Sequence, residues 1–172
     1  MASNTRSNRP RKQRPRPCAQ PTRLSTHLAS VDHDGIYQSF DGGSHWEKTA
    51  QLADRPIWSL AFDPHDPDRI YAGTRPGVFA SQDRGTSFAE LMTSISTQCA
   101  IGVPRTTNVV VDPNDANTVY ASVEIDGLHR SRDRGATWES LGQLGPSEFY
   151  NDVHGFALRS VSYTHLTLPT KA

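Results

Sequence analysis

Residues 131–138 read SRDRGATW, a stretch that places a serine, an aspartate, a glycine and an aromatic residue at fixed spacing. The same spacing occurs twice more, as SFDGGSHW at residues 39–46 and as SQDRGTSF at residues 81–88. With the preceding residues included, the three copies share the pattern G-[IVL]-[YFH]-x-S-x-D-x-G-x-x-[WF] without gaps. Self-similarity of this kind predicts a repeat architecture.

A second shared element lies between these copies. The stretch IWSLAFDPHDPDRIYAGT at residues 57–74 matches NVVVDPNDANTVYASV at residues 108–123, each with an apolar run, an Asp-Pro turn and a β-rich run. The interval from Asp63 to Asp83 is 20 residues, and that from Asp112 to Asp133 is 21 residues. The two units are therefore expected to be built alike.

Each unit is predicted to contain four short strands. The period of two and the Gly, Pro and Asp signals predict strands at 57–63, 69–74, 77–83 and 87–92 in the second unit. Helical spacing is absent. Four strands in about 40–50 residues, repeated along the chain, are typical of a β-propeller blade. The fold class is thus predicted to be all-β, with four-stranded antiparallel blades.

The three copies resemble the Asp-box, S-x-D-x-G-x-x-W, of the BNR-repeat β-propellers. The matching residues are Ser39, Asp41, Gly43, Trp46, Ser81, Asp83, Gly85, Phe88, Ser131, Asp133, Gly135 and Trp138. That group includes sialidases, xyloglucan-degrading glycoside hydrolases, sortilin-type receptor ectodomains and photosystem II assembly factor propellers. The resemblance runs from residue 28 to about residue 158 and implies the fold. It does not select a function, because enzymes and non-enzymes share the box.

The chemistry of the box favours a structural role. An Asp carboxylate can accept the unpaired backbone N–H groups of a tight turn, a glycine supplies a positive φ, and the aromatic covers the blade. One carboxylate per loop is too few for a calcium site of about six to eight oxygen ligands. A Ser-Asp pair without a positioned histidine is not a nucleophilic dyad. No metal or cofactor is expected, and Cys18 and Cys99 predict no disulfide framework.

Candidate binding residues are expected on the loops opposite the boxes. In the propellers that this chain resembles, the first strand of each blade lines the axis, so the loops that enter it share a face with the loops between strands two and three. Variable loops on a rigid scaffold are where binding residues concentrate. The candidates are Arg55, Trp58, Arg105, Asn108, Tyr150, Asp152 and His154.

Each of these residues also has a structural interpretation. Arginines beside an aromatic platform suit a carboxylate, phosphate or sugar ligand. Alternatively, Trp58 fills the inner layer of the propeller, Arg55 and Arg105 pair with neighbouring acids, and His154 is an ordinary strand histidine.

Three functions remain open at this point. The leading hypothesis is a non-catalytic module that binds a small polar, anionic or sugar ligand or a protein partner. The alternative is a glycoside hydrolase of the exo-sialidase type, which needs two carboxylates at a fixed separation. Asp54, Glu148 and Asp152 are available, but no spacing establishes a pair, and the three-arginine and tyrosine pattern of sialidases has no match around Arg55 and Arg105. The third is an assembly scaffold that contacts proteins through its blade edges.

The two ends of the chain differ from the rest. Residues 1–24 contain seven Arg or Lys residues and no acid, which leaves eleven basic against eighteen acidic residues elsewhere. The segment is predicted to be disordered, and we interpret it as a non-native or poorly determined start of the coding sequence. The alternative is a basic extension that contacts nucleic acid or an acidic membrane, whereas a targeting peptide is disfavoured because it would need an apolar face, which this segment lacks. Residues 161–172 begin VSYTHLTLPT, which resembles a translated sequencing adaptor, so the propeller is assigned to residues 25–160.

The repeats also give an expected blade count. Residues 27–39 match residues 119–131, which predicts entry at strand two of a blade, and residues 153–159 match residues 57–63, which predicts exit on strand one. About three blades result, whereas closed propellers need about four or more, so the remaining blades are expected to be missing and the open arc to self-associate. With no signal peptide or membrane span recognised, the cytoplasm is the default expectation, and the folded part is not expected to bind nucleic acid.

Overall fold

The computed structural model describes residues 26–31, 34–49, 52–53, 55–91, 93–100, 102–147 and 151–158. The predicted tail at 1–24 and the adaptor-like segment at 161–172 lie outside these residues. The named elements of the described part are all β-strands, and they form three antiparallel sheets. The prediction of an all-β fold built from blade-like sheets is confirmed.

The sheets follow one another along the chain, and within each sheet consecutive strands pair. The first blade contains β1 (His27–Val31), β2 (Gly35–Ser39) and β3 (Glu47–Lys48). The second contains β4 (Ile57–Phe62), β5 (Ile70–Thr74), β6 (Val78–Ser81) and β7 (Ala89–Glu90). The third contains β8 (Thr106–Val111), β9 (Val119–Val123), β10 (Gly127–Ser131) and β11 (Glu139–Ser140). The strand orders are β1-β2-β3, β4-β5-β6-β7 and β8-β9-β10-β11.

The predicted strands of the second blade begin within two residues of the observed ones, but the third and fourth are shorter than expected. Strand three ends at Ser81 rather than at Asp83, and strand four is reduced to Ala89–Glu90. The reason is the box turn, in which the backbone N–H of Ser87 donates to the carboxylate of Asp83 instead of joining the ladder.

Apolar cores lie between successive blades. Ile36, Ile57, Ile70, Ala72, Phe79 and Phe88 form the cluster between the first and second blades. Tyr71, Val78, Ala80, Ile95, Val109, Val111, Val119, Ala121 and Val123 form the cluster between the second and third. Successive side chains of β5 therefore pack against different neighbours, as expected for a strand that is buried on both faces.

A β-bulge at the start of each first strand positions the loop residues. In β4 the pairing jumps from Ile57↔Thr74 to Ser59↔Gly73, which leaves Trp58 as the extra residue. In β8 it jumps from Thr106↔Val123 to Asn108↔Ser122, which leaves Thr107 as the extra residue. Bulges redirect side chains at the ends of strands.

The segment predicted to be strand one of a further blade lies against the third blade. No strand is assigned to residues 151–158. The ring of Phe156 nevertheless meets that of Tyr120 edge to face, at 5.7 Å between centroids. The hydroxyl of Thr107 donates to the carbonyl of Val153 at 2.5 Å. Residues 151–158 thus follow the sheet without pairing into a named ladder.

Candidate functional site

The boxes are self-contained turns. In the third, Ser131 Oγ donates to Asp133 Oδ1 at 2.8 Å and accepts the backbone N–H of Gly135 at 2.7 Å. Asp133 Oδ1 accepts the N–H of Thr137 at 2.8 Å, and Oδ2 accepts its hydroxyl at 2.5 Å. The first and second boxes repeat the serine-to-glycine and carboxylate-to-amide contacts. The box glycines have φ values of +90°, +89° and +95°, for Gly43, Gly85 and Gly135 in turn.

The serine hydroxyl is a part of this turn that sequence reasoning did not use. Ser39, Ser81 and Ser131 are each 1% exposed, so an unmade hydrogen bond there would be costly. The signal was available, because serine recurs two residues before every box aspartate.

The box aromatics are buried to different extents. Phe88 is 8% exposed and belongs to the core between the first two blades, and Trp138 packs against the core between the second and third. Trp46 is 43% exposed, which corrects the expectation that all three aromatics are covered. The physical reason is that Phe88 and Trp138 pack on the preceding blade, and no described blade precedes the first.

The box carboxylates are held in their ionised form. The hydroxyl and the backbone N–H of Thr137, with the hydroxyl of Ser131, lower the pKa of Asp133 to about 2. Contacts with Ser87 likewise lower the pKa of Asp83, and contacts with His45 lower that of Asp41. Hydrogen-bond donors that favour the charged form produce shifts in this direction. These carboxylates are already occupied by their own turns.

The face that carries the boxes joins one blade to the next. Arg134 of the third box donates to Asp66 at 2.7 Å and to Asp63 at 3.2 Å, both in the second blade. The carbonyl of Arg134 accepts Arg69 Nη2 at 2.7 Å and the hydroxyl of Tyr71 at 3.2 Å. This face is therefore a structural joint.

The opposite face gathers polar and aromatic side chains from several loops. We call it the entry-loop face and define it by Trp58, Arg75, Arg105, Glu124, Asp152 and His154. At its centre, Arg105 Nε donates to Glu124 Oε2 at 2.6 Å, and Arg105 Nη2 pairs with the second carboxylate oxygen. The guanidinium carbon of Arg105 lies 4.6 Å from the centre of the Trp58 ring. A cation–π contact and a two-point ion pair thus hold one arginine in place.

Glu124 is the buried member of this group. It is 3% exposed, and the hydrogen bonds from Arg105 lower its pKa. The charges of His154 and Arg75 act on Glu124 in the same direction, and the charge of Asp152 raises the pKa of Arg105. These effects converge on Glu124 and Arg105, the ion pair at the centre of the entry-loop face.

Arg75 and Glu124 were not among the predicted site residues. Arg75 Nε donates to the carbonyl of Val103 at 2.9 Å, which ties the loop between β5 and β6 to the loop that enters β8. Among the described residues, no carboxylate lies within ion-pair distance of Arg75. Both residues could have been identified from the sequence, because they lie in the loops between strands two and three, where charged side chains recur.

The seven predicted site residues have different outcomes. Trp58, Arg105, Asp152 and His154 belong to the entry-loop face, and His154 Nε2 lies 3.2 Å from Asp152 Oδ2. The guanidinium of Arg55 instead lies over the ring of Phe79, at 4.9 Å. Asn108 Nδ2 donates to the carbonyl of Phe156 at 3.0 Å, so it anchors residues 151–158. Tyr150, like the candidate acids Asp54 and Glu148, lies outside the described residues.

We also searched the described part of the chain for metal sites, membrane-spanning helices and surface depressions. No cluster of three or more His, Cys, Asp or Glu side chains that could hold a metal ion occurs there. A helix long and apolar enough to cross a membrane is likewise not found among those residues. Shallow depressions of about 300 Å³ and 210 Å³ lie beside the third and first boxes at equivalent positions, between strands three and four.

Comparisons with known sequences agree with the architecture. The family model described as sortilin, neurotensin receptor 3, matches residues 34–152. A xyloglucanase from a Paenibacillus species is 32% identical over 145 residues, which cover 72% of this chain and 14% of the relative. A probable oligoxyloglucan-reducing end-specific xyloglucanase from Neosartorya fischeri is 33% identical over 84 residues, which cover 48% of this chain and 10% of the relative. This chain therefore spans only a small part of either relative.

Solved structures show the same fold. YCF48 bound to a D1 peptide superposes with a TM-score of 0.52 at 17% identity, over 69% of this chain and 38% of that one. The GH74 enzyme of Niastella koreensis superposes with a TM-score of 0.51 at 21% identity, over 62% of this chain and 18% of that one. At these identities the likeness shows the fold alone, and the described sheets match part of each larger chain.

Proposed function

This chain belongs to the sortilin, neurotensin receptor 3 family, a group of Asp-box β-propellers, and we propose that it serves as a non-catalytic binding module whose entry-loop face takes an acidic peptide segment of a protein partner. The box face is used to join blades. The entry-loop face, by contrast, combines a fixed aromatic ring with an exposed cation.

The observation that carries the proposal is the fixed position of Trp58. Trp58 is 42% exposed although it lies within β4, and Arg105 stacks on its ring while Glu124 holds Arg105. A large aromatic surface that is already ordered loses little side-chain entropy when it binds. Arg105 thus acts as a support for Trp58 and not as the free charge that recognises the ligand.

Arg75 supplies that charge. It is exposed, and its one described hydrogen bond goes through Nε, so both terminal nitrogens of the guanidinium remain for a ligand. The planar guanidinium matches a carboxylate with two parallel hydrogen bonds. A glutamate or aspartate side chain, or a terminal carboxylate, can therefore pair with Arg75 while a neighbouring side chain packs on Trp58.

The acids of the entry-loop face support a binding function better than they support glycoside hydrolysis. A glycosidase needs one carboxyl group with a raised pKa to act as general acid. The pKa of Glu124 is lowered by Arg105, and its side chain is buried, so it stays ionised and paired at neutral pH. Asp152 is the other described acid of this face, and it lies beside His154.

A sugar ligand is the second candidate, and the exposed ring of Trp58 favours it. Sugars stack readily on exposed aromatic rings, and two of the relatives are named as xyloglucanases. Under this alternative Trp58 would dominate binding and Arg75 would contribute little.

The proposal is tested with an array of short peptides, each printed in an acidic version and in a version with Glu and Asp replaced by Gln and Asn, alongside immobilised xyloglucan. We expect the chain to bind acidic spots more strongly than their amide counterparts, and the Arg75→Ala variant to lose at least tenfold in affinity for the best peptide. Trp58→Ala should also lower the affinity for this peptide. Arg132→Ala is the matched control, because it removes an exposed arginine on the box face and should leave the affinity unchanged. Binding to xyloglucan that depends on Trp58 but not on Arg75 would favour the sugar instead.

A further inference from the structure

We propose that Ser94 is an acylation site, whose hydroxyl is activated by His129 and takes the acyl group of a small activated ester. Asp126 orients the histidine for this transfer. The transfer happens once per chain, so it modifies the protein and is not a turnover reaction. It goes beyond the binding function proposed above and does not depend on the ligand of the entry-loop face.

The three side chains form a continuous series of hydrogen bonds. Ser94 Oγ lies 3.1 Å from His129 Nδ1, and His129 Nε2 lies 3.1 Å from Asp126 Oδ2. A hydroxyl, an imidazole and a carboxylate in this order are the arrangement that activates a serine as a nucleophile. Here the serine contacts Nδ1 and the carboxylate contacts Nε2. Either ring nitrogen can act as the base, provided that the other nitrogen carries the proton.

The surroundings of His129 decide which nitrogen carries that proton. Nε2 lies between two oxygens of Asp126, the carboxylate oxygen at 3.1 Å and the backbone carbonyl oxygen at 3.2 Å. An ionised carboxylate and a carbonyl only accept hydrogen bonds, so the hydrogen of the neutral ring is expected on Nε2. Nδ1 then has a lone pair that accepts the hydroxyl hydrogen of Ser94, which is the state that a general base needs.

The burial of these residues suits a fixed base behind an accessible nucleophile. His129 is 1% exposed, whereas Ser94 is exposed. The packed surroundings therefore hold the imidazole in place, and a small reagent can approach the serine from solvent.

Neighbouring contacts hold the serine and the carboxylate in position. Ile95 follows Ser94 directly and is buried in the core between the second and third blades. Ser96 donates to the carboxylate of Asp126 through its backbone N–H, at 2.9 Å, and through its hydroxyl, at 3.2 Å. Residues 94–96 are thus attached both to the core and to the carboxylate that orients the base.

The equivalent positions in the other blades show what is particular to the third. His129, two residues before the box serine, corresponds to Tyr37 in the first blade and to Phe79 in the second. The hydroxyl of Tyr37 donates at 2.5 Å to Asp34, three residues before it. Asp126 and His129 have the same spacing. An aspartate thus holds the side chain of strand three in both blades, and in the third blade that side chain is also a base.

The reaction uses only the ester and these three side chains. Ser94 Oγ attacks the acyl carbon and forms a new ester bond, while the hydroxyl proton passes to His129 Nδ1. The bond between the acyl carbon and the leaving oxygen breaks, and the leaving group takes that proton and departs as an alcohol. Asp126 stabilises the imidazolium between the two proton transfers. Assistance by a positioned base typically raises a rate by about 10²–10⁴-fold.

The test is acetylation of the full chain by p-nitrophenyl acetate, with the modified residues located by mass spectrometry. We expect Ser94 to be acetylated about a hundredfold or more faster than Ser140, an exposed serine that accepts a hydrogen bond from Gly142. Ser94→Ala should abolish the fast reaction, and the matched control Ser140→Ala should leave the rate at Ser94 unchanged. His129→Gln should lower the rate at Ser94 by about a hundredfold or more.

Asp126 acts through His129, so it is tested as a positioning residue. Asp126→Asn should lower the acetylation rate at Ser94 by about tenfold or more, and Asp126→Glu, which keeps the carboxylate, should recover part of the loss. Nitrogen NMR of the wild-type chain should show that the neutral ring of His129 carries its proton on Nε2. The NMR measurement needs no variant, so it tests the proposal even where a substitution at the buried His129 prevents folding.

Three results would overturn the proposal. The first is acetylation spread evenly over the exposed serines. The second is a rate at Ser94 that stays at the wild-type value in Asp126→Asn or His129→Gln chains that melt as folded proteins. The third is a neutral His129 ring with its proton on Nδ1, because that nitrogen could not then accept the proton of Ser94.

Discussion

The serine hydroxyl of each box makes three hydrogen bonds within a single turn. Ser131 Oγ accepts the N–H groups of Asp133 and Gly135 and donates to the carboxylate, all within one turn. The aspartate identifies the motif in the sequence, but the serine holds its buried amides.

Ser131→Ala should therefore destabilise the chain by about 1–3 kcal/mol, the usual cost of leaving a buried polar group without its partner. The measurement is the free energy of unfolding in urea. Ser140→Ala is the matched control, because Ser140 is exposed and accepts one long hydrogen bond from Gly142 at 3.3 Å. Equal losses in the two variants would argue against the role given to the serine.

The box aspartates predict a dependence of stability on pH. Because the pKa of Asp133 is lowered in the folded state to about 2, its ionised form contributes to stability above the unfolded pKa of about 4. The contribution is lost as the pH falls from about 4 towards 2. Asp133→Asn should melt at a lower temperature than the wild type at pH 6, and the difference should shrink by pH 2.5. A difference that is constant from pH 6 to pH 2.5 would contradict this account.

At the scale of whole strands, the distance between neighbouring blades depends on places where the backbones of two strands approach closely. Gly73 lies in β5, opposite Ser59 across the ladder and against Thr106 of the next blade. A Cβ at Gly73 would lie 2.5 Å from Ser59 Oγ as well as against the Thr106 carbonyl. The carbonyl belongs to the backbone, so the two blades would have to separate.

Gly73→Ala is thus expected to cost about 1–3 kcal/mol, the range for overpacking a core. Gly155→Ala is the control, because it adds the same methyl group where no atom lies within 4 Å. Chemical denaturation of both variants gives the comparison. A Gly73→Ala variant as stable as Gly155→Ala would mean that the blades do not approach as closely as the structure shows.

The elements were predictable from the sequence where a repeat fixes them, and less so where tertiary contacts do. The Ser, Asp and Gly spacing of the three boxes locates strand three of every blade, and the Asp-Pro turns locate strands one and two. The start of strand four was misplaced, because the carboxylate of Asp83 accepts the backbone N–H of Ser87, which therefore does not join the ladder. The bulge at Trp58 depends on pairing with Thr74 and Gly73, which a single strand does not reveal.

The candidate site was predictable only in part, because some of its contacts join residues that are far apart in the sequence. The loops that enter strand one were identified, and Trp58, Arg105, Asp152 and His154 were placed on them. Glu124 was passed over because its importance arises from Arg105, which lies 19 residues away in sequence and bonds to it across the blade. Arg55 was included on residue type, but its guanidinium lies over Phe79.

At the scale of the whole molecule, the two faces of the blades differ in what their residues contact. The box face joins blades through Arg134, Asp63 and Asp66. On the entry-loop face Trp58 is 42% exposed and Arg75 is exposed, and these are the residues that we propose as the ligand contacts. Arg134→Ala would leave the buried carboxylate of Asp63 without its ion pair. Loss of stability and loss of binding should therefore follow from different arginines.

The most direct test measures both properties in the same two variants, Arg75→Ala and Arg134→Ala. Calorimetric titration with the best acidic peptide of the array and thermal melting are carried out on each. We predict that Arg75→Ala melts like the wild type and binds at least tenfold more weakly. Arg134→Ala should be about 1–3 kcal/mol less stable and bind with unchanged affinity below its melting temperature. Peptide binding that Arg134→Ala abolishes and Arg75→Ala leaves intact would contradict the division of the molecule into a joining face and a binding face.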